Sequence, residues 1–396
     1  MPVTVTVVAG PEAGREFRLQ GRDTFVAGRA ADCHFRPSHE DPFLAPRHFL
    51  IEVRGTRFRL IDLNTKAGTK VNGQKVTESD LTDGMEVRAG QTVFRVGLPA
   101  GTGKPAPATA ESPALPKMKP QIEGYEPENE IGRGTLGKVY RGKQTSDDSR
   151  VAIRTIRPAP SVTLEDIDRF LLAMHRLEGL RHQLIVPVLS SGLAGPRPYV
   201  VTEFILGPNT QQFMNERGAV PVRAAVLMMI QALEGLAYAH AQGFVHGNVK
   251  PTNLWIGKYG EKRRVRVAEI GLFRAFDESN FAGPTLFGEP PNVLQFVAPE
   301  QVSHVREFKP PADQYTAAAT LYYWLTGKYI YDLPESSTRA IAMILGAEPI
   351  PIRKRLEDVP EALAATIHKA LARDPAARFK DVDAFRQALI DGPGGS

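Results

Sequence analysis

Residues 99–120, PAGTGKPAPATAESPALPKMKP, hold six prolines and no aromatic residue. Such a stretch buries too little apolar surface to fold alone, and its prolines make it a semi-stiff spacer. At about 5–6 Å × √n, a spacer of this length separates its flanking segments by roughly 25 Å, and by more if extended. The chain is therefore expected to fold as separate domains, residues 1–98 and 121–390, with 99–120 as linker and 391–396 as a tail.

A total of 396 residues allows two or three domains, each large enough to bury its own core. With 42% hydrophobic and 23% charged residues, the composition excludes a disordered, collagenous or coiled-coil protein. The formal net charge of +5 is spread along the chain, 14 basic against 12 acidic groups in residues 1–98, so no basic arm for nucleic acid stands out. The single cysteine, Cys33, excludes an intramolecular disulfide and offers no zinc cluster. VTVTVV at the N-terminus alternates with period two and reads as a strand, not a leader. The longest uncharged stretch in the apolar C-terminal part, Gln314 to Gly327, is shorter than the roughly 20 residues a membrane span needs. A cytoplasmic protein without a membrane span is the expectation.

Before the linker, short strands such as Val3–Val8, Glu16–Leu19, His48–Val53, Phe58–Asp62 and Thr92–Val96 alternate with breakers AGPEAG, RGTR and VNGQ. This spacing predicts an all-β sandwich. After it, strands around a glycine-rich turn and VAIRTI (151–156) precede helical periodicities at Leu164–Leu180, Ala224–Ala241, Ala312–Leu325 and Glu361–Ala372. In the second of these, Leu227, Ile230, Leu233, Leu236 and Ala237 recur at helical spacing. Strands first and helices afterwards predict an α+β domain with a small strand-rich lobe and a larger helical one.

Gly28-Arg29, then DPFLAPRHF (41–49), then DLNTKAGTKVNG (62–73), in this order and spacing, resemble a forkhead-associated (FHA) domain. That family is a β-sandwich binding phosphothreonine peptides through loops at one end. The resemblance makes Arg29 the phosphate-binding arginine, with Arg47 and Thr65 as further phosphopeptide-contact candidates and His48 and Gly68 as braces of the loops. Two departures weaken the grip. The phosphate-contacting serine falls at Ala45, its following arginine at Pro46, and the peptide-orienting asparagine at Ala67. Charged hydrogen bonds contribute about 1.5–3 kcal/mol each, so losing two weakens phosphopeptide binding by orders of magnitude. A phosphate-independent docking role is the favoured expectation.

Residues 121–390 resemble the eukaryotic-type serine/threonine protein kinase as bacteria use it, a bilobal fold. Gly132, Gly134 and Gly137 in IGRGTLGKVY keep the glycine loop, and Val139 follows. VAIR places Arg154 where the family has its phosphate-pairing lysine, and a guanidinium fork does not reproduce an ammonium. The partner glutamate position on the following helix is Ala173, while Glu178 reads as a solvated residue. HGNVKPTN (246–253) keeps His246, Lys250 and Asn253 but carries Asn248 as the general base and Gly247 as the loop arginine. Glu269 replaces the metal-binding aspartate, leaving Asn253 and Glu269 as the metal candidates. The threonine preceding FVAPE falls at Val293. The resemblance makes Ala152, Thr202, Glu203 and Trp255 further nucleotide-cleft candidates. Trp255 either turns aside into core or surface, or fills the adenine space beside Val139 and Ala152. Glu300, Asp313 and Arg378 match structural positions of the large lobe.

Phosphoryl transfer needs lysine, metal sites and base together. With Arg154, Ala173, Asn248 and Glu269 all altered, the resemblance implies a pseudokinase scaffold or regulatory adaptor requiring no cofactor. The alternative is an atypical kinase using ATP and magnesium through Glu269, Asn253 and Arg154. A third reading is a phosphopeptide adaptor acting through Arg29. Each implies signalling proteins as partners, phosphorylated on threonine in the last; oligomeric state stays open.

Overall fold

The computed structural model describes residues 3–19, 22–39, 41–54, 57–98, 120–134, 137–158, 162–279, 281, 294–303 and 309–392. Linker residues 99–119 and Val293 lie outside these. The chain gathers into two compact units. One comprises Met1–Leu115, Leu286–Glu307 and Leu333–Glu348; the other comprises Pro116–Thr285, Phe308–Asp332 and Pro349–Ser396.

The first unit is a β-sandwich. Strands β1 (Val3–Ala9), β2 (Glu16–Leu19), β6 (Thr69–Val71), β7 (Gln74–Val76), β9 (Glu86–Ala89) and β10 (Thr92–Gly97) form one sheet in the order β2-β1-β10-β9-β6-β7. Strands β3 (Arg22–Ala27), β4 (Phe49–Arg54), β5 (Arg57–Asp62) and β8 (Glu78–Asp80) form the other, in chain order. The period-two pattern of β1 puts Val3, Val5 and Val7 inside, against Phe25, Phe49, Ile51, Phe58, Leu60 and Phe94. Phe35 and Phe94 meet edge-on at 4.8 Å, a favoured aromatic geometry.

The second unit begins with an antiparallel sheet ordered β11-β12-β13-β15-β14. Its strands are β11 (Tyr125–Gly134), β12 (Gly137–Gln144), β13 (Arg150–Thr155), β14 (Val188–Ala194) and β15 (Arg197–Glu203). Helix α1 (Leu164–Leu177) packs on it, burying Phe170, Met174 and Leu177. A Thr163–Asp166 capping box starts this helix by pairing two otherwise orphaned amides. The helical part of this unit holds α2 (Thr210–Arg217), α3 (Val222–Ala241) and α4 (Leu272–Glu278), and the hairpin β16 (Leu254–Tyr259) and β17 (Lys262–Val267). Further helices along the chain are α5 (Pro299–Ser303), α6 (Pro310–Thr326), α7 (Ser337–Gly346), α8 (Glu361–Ala370) and α9 (Val382–Asp391). Of these, α5 and α7 belong to the first unit and the others to the second.

Helix α3 corrects the expected apolar stripe. It buries Ala225, Val226, Met229, Ala232, Leu233, Leu236 and Ala239, whereas Leu227 is 41% exposed. Apolar residues lie on several sides of this helix, so periodicity could not choose among faces; packing against β17, α6 and α9 does. By length and composition alone α3 could cross a membrane. Its inward face is packed within the protein as a core helix. Helix α6 is buried from Ala312 to Leu325 and forms the centre of the helical part.

Candidate functional site

The cleft of the second unit is assembled from β12, β13, the end of β15, the loop 246–253 and the residues after β17. Strand register sets Val139 opposite Arg154, and Ala152 opposite Thr202. Gly137 sits at φ +118°, and a Cβ there would come within 2.0 Å of the Thr155 carbonyl oxygen. Glycine is required at 137 by the sheet itself. At Gly132 a Cβ would meet nothing closer than Val139 at 3.8 Å, so that glycine is not sterically forced. Residues 135 and 136 of the glycine loop lie outside the described residues.

Arg154 reaches across the cleft and forms an ion pair with Glu269. The two side chains are 21% and 23% exposed. Glu269 takes a left-handed backbone, φ +64°, which aims its side chain into the cleft ahead of Gly271 and α4. Ala173 on α1 presents no carboxylate. Glu178, expected as a solvated residue, is half-buried and accepts a 2.9 Å hydrogen bond from the Ser191 hydroxyl, with His175 at 3.1 Å. It sits at the C-cap of α1, where Ser191 of β14 meets it.

The loop 246–253 is held from below. Asp313, fully buried on α6, accepts from the backbone amides of His246 (2.8 Å) and Gly247 (2.7 Å), and lies 2.8 Å from His240 Nε2. Gly247 adopts φ +73°, a conformation glycine enters without the Cβ penalty. The His246 ring is fully buried, with neither ring nitrogen hydrogen-bonded, and burial pushes its pKa below 6.5. Asn253 is buried and donates its amide to the Asn248 carbonyl at 3.0 Å, which fixes the loop's turn. Lys250 flanks the short 3-10 turn that carries Asn253.

Trp255 packs against Val186, Ile205 and Ala268. It therefore lies between Ile205, two residues beyond Glu203, and Ala268, next to Glu269. The two expected placements were a ring turned aside into core or surface and a ring in the adenine space beside Val139 and Ala152; the pairing of β16 with β17 puts Trp255 opposite Arg266.

Sequence reading missed Arg266. It is 1% exposed and grips Glu203 with two hydrogen bonds of 2.5 and 2.8 Å, donates to the Ile185 carbonyl at 2.8 Å, and lies under the Tyr259 ring. The Glu203 carboxylate is thereby committed to a structural clamp. Arg266, set between Val265 and Val267 in RVRVAE, was the available signal. Lower in the same unit, buried Arg378 donates to the carbonyls of Ala372, Pro311 and Arg373 and lies over Tyr315. Glu300 stands in α5 of the first unit.

At the tip of the sandwich, Gly28 is needed because a Cβ would come within 2.2 Å of the Pro46 carbonyl oxygen. That approach holds exposed Arg29 beside the 44–46 loop, where its Nε donates to the Leu44 carbonyl at 2.5 Å. His48 is fully buried; its Nδ1 accepts from the Ala45 amide at 3.0 Å, leaving Nε2–H to donate to the Gly68 carbonyl at 3.3 Å. Burial, the largest influence, lowers its pKa. The Thr65 hydroxyl donates to Asp62 and accepts from the Gly68 amide, and Thr69 also donates to Asp62. Arg47 is clasped by Asp32 and donates to the Leu345 carbonyl at 2.9 Å. Burial first, then the neighbouring Asp32, push the Cys33 thiol up to about 12. Among the described residues no group of three or more His, Cys, Asp or Glu could hold a metal ion.

The protein kinase domain family model matches residues 125–390, and the FHA domain model matches residues 25–90. Serine/threonine-protein kinase PknK of Mycobacterium tuberculosis is 33% identical over 261 residues, 64% of this chain and 22% of that protein. Serine/threonine-protein kinase Pkn1 of Myxococcus xanthus is 28% identical over 299 residues, 72% of this chain and 42% of that protein. The chain thus spans well under half the length of either relative. Among solved structures, Rad53 1–466 in complex with AMP-PNP superposes with a TM-score of 0.54 at 20% identity, covering all of both chains. The kinase domain of Mycobacterium tuberculosis PknI gives 0.55 at 21% identity, covering 69% of this chain and 98% of that one. At such identities the likeness speaks for the fold.

Proposed function

Given that the chain belongs to the protein kinase domain family and carries an FHA domain ahead of that domain, we propose that it is a pseudokinase scaffold or regulatory adaptor in bacterial Ser/Thr phosphosignalling. The observation that carries this reading is the ion pair between Arg154 and Glu269.

In an active site of this family the cation holds nucleotide phosphates and the carboxylate holds magnesium, two tasks linked through the ligand. Here the two groups neutralise each other directly. The arginine fork is longer than a lysine and the glutamate longer than an aspartate by one methylene, so each closes the gap a metal-nucleotide would bridge. Asn248 occupies the base position and cannot accept a proton at neutral pH. Trp255 fills the floor between Ile205 and Ala268. Together these support a domain that holds its closed arrangement with its own side chains and serves as a docking body. ATP and magnesium are then not required for its fold.

The kinase names of the curated relatives favour the second reading, an atypical ATP-dependent serine/threonine kinase. Intact-mass spectrometry of the purified chain after incubation with magnesium-ATP separates the two. The scaffold reading expects no added phosphate. Phosphate incorporation that disappears in Glu269→Ala establishes the enzyme instead.

A further inference from the structure

The sheet β3-β4-β5-β8 is buried on both faces, although a sandwich requires only one. Phe25, Phe49, Ile51 and Leu60 face the core between the sheets. Their strand neighbours Val26, Leu50 and Ile61 point the other way, stand side by side across the sheet, and are also fully buried. Thr24 and Glu52 on the same outer face are 1% and 6% exposed. Within this unit α5 packs on β3 and α7 packs on β5. The Thr24 hydroxyl donates to the Ser303 carbonyl of α5 at 2.8 Å. Helix α7 buries Ala340, Ile341, Ile344 and Leu345 along one stripe.

The ends of α7 match the sandwich in charge. This helix has no acidic residue in its first turn and no basic residue in its last. Its N-terminal turn instead meets Glu78, which accepts a hydrogen bond from the Thr338 hydroxyl at 2.8 Å. Its last turn meets Arg47, which donates to the Leu345 carbonyl while Asp32 fixes the guanidinium. A carboxylate at the amino end and a cation at the carboxyl end are the signs that the helix dipole favours.

We propose that the outer face of this FHA sheet is a docking surface whose occupant is α7 of the same chain. Strand β5, which carries Ile61, supplies its apolar floor under α7 while α5 covers the β3 side of the face, and Glu78 and Arg47 read the two ends of the helix. Arg47, beside the phosphopeptide tip, then serves a helix of its own chain in place of a phosphorylated partner. Residues 337–346 lie inside the segment matched by the protein kinase family. The surface therefore ties the FHA domain to that segment whether or not nucleotide binds, and it is independent of the pseudokinase reading.

The test uses the full chain in a Cys33→Ser background. Glu78→Cys with Thr338→Cys, treated with a short bis-maleimide, should give an intramolecular cross-link mapped by mass spectrometry. Glu86→Cys with Thr338→Cys, on the other sheet, should give none. Glu78 is exposed and Thr338 half-buried at the start of the helix, and neither side chain is apolar core. Equal yields from the two pairs overturn the proposal. In hydrogen exchange, Arg47→Glu should speed the amides of 337–347 at least tenfold, with Arg47→Lys between it and wild type and β1 and β10 unchanged. Exchange in 337–347 that does not respond to Arg47→Glu overturns the reading of the helix ends.

Discussion

The Arg266–Glu203 clamp should respond asymmetrically to removal of its two halves. The Arg266 side chain is 2% exposed and the Glu203 side chain 38%. Glu203→Ala strands a sealed cation that water cannot reach, and breaking a buried pair in this way costs about 3–5 kcal/mol. Arg266→Met leaves a carboxylate that can turn to solvent, while the thioether refills the space under Tyr259. What remains is the lost bond to the Ile185 carbonyl, about 1–2 kcal/mol. The chain has two compact units, so a single unfolding free energy is not defined. Hydrogen exchange of individual amides in β15 and β17 reads local opening directly. At 1.36 kcal/mol per factor of ten, Glu203→Ala should raise opening by roughly 150-fold or more, and Arg266→Met by about tenfold. Equal effects, or a larger effect from Arg266→Met, would refute the assignment of the buried charge to the arginine side.

Acid should weaken both units through their buried histidines. Burial lowers the pKa values of His48 and His246 from 6.5, so each takes up a proton less readily in the folded chain than in the unfolded one. Their stabilisation is full above 6.5 and falls as pH drops below it. Thermal melts between pH 8 and 5 should show this loss, and His48→Gln should flatten it for the sandwich; an acid limb unchanged in that variant refutes the role of His48. Gly137→Ala should lower the melting temperature sharply, from about 1–3 kcal/mol of backbone strain plus the clash with Thr155, while Gly132→Ala should change it little. Equal tolerance at both positions would mean that the sheet does not dictate Gly137. Trp255→Ala should lower the melting temperature by removing a half-buried ring from its packing on Val186, Ile205 and Ala268; an unchanged melt would show that the ring does not support this floor.

The sandwich was legible because its strands alternate, as in VTVTVV, and its turns carry glycine at close spacing. Expected strands such as Thr92–Val96 and helices such as Glu361–Ala372 differ from the observed elements by a residue or two at their ends. Glu361–Ala370 stops early because its last turn tightens at Leu371. The face of α3 was misread, since apolar residues on several sides of the helix let more than one stripe satisfy helical spacing. The substitutions at 154, 173, 248 and 269 were readable one by one. That Arg154 and Glu269 bond to each other was not, because the pair is made between residues 115 positions apart by the folding of β13 over the loop after β17. The same holds for Arg266, whose partner Glu203 lies 63 residues away. The burial of β4 on both faces had a trace in the unbroken apolar run Phe49-Leu50-Ile51, where strict alternation would mark a sheet with one face in water.

The central claim is that the cleft is closed by its own side chains, with Arg154 and Glu269 neutralising each other. A thermal-shift measurement on the full chain with ATP, in the presence and absence of magnesium, tests it most directly. The account predicts the same melting temperature in all conditions. A ligand at 100 times its dissociation constant stabilises by about 2.7 kcal/mol, so a binding cleft would be readily detected. A magnesium-dependent rise would contradict the account and restore the reading of an ATP-using kinase.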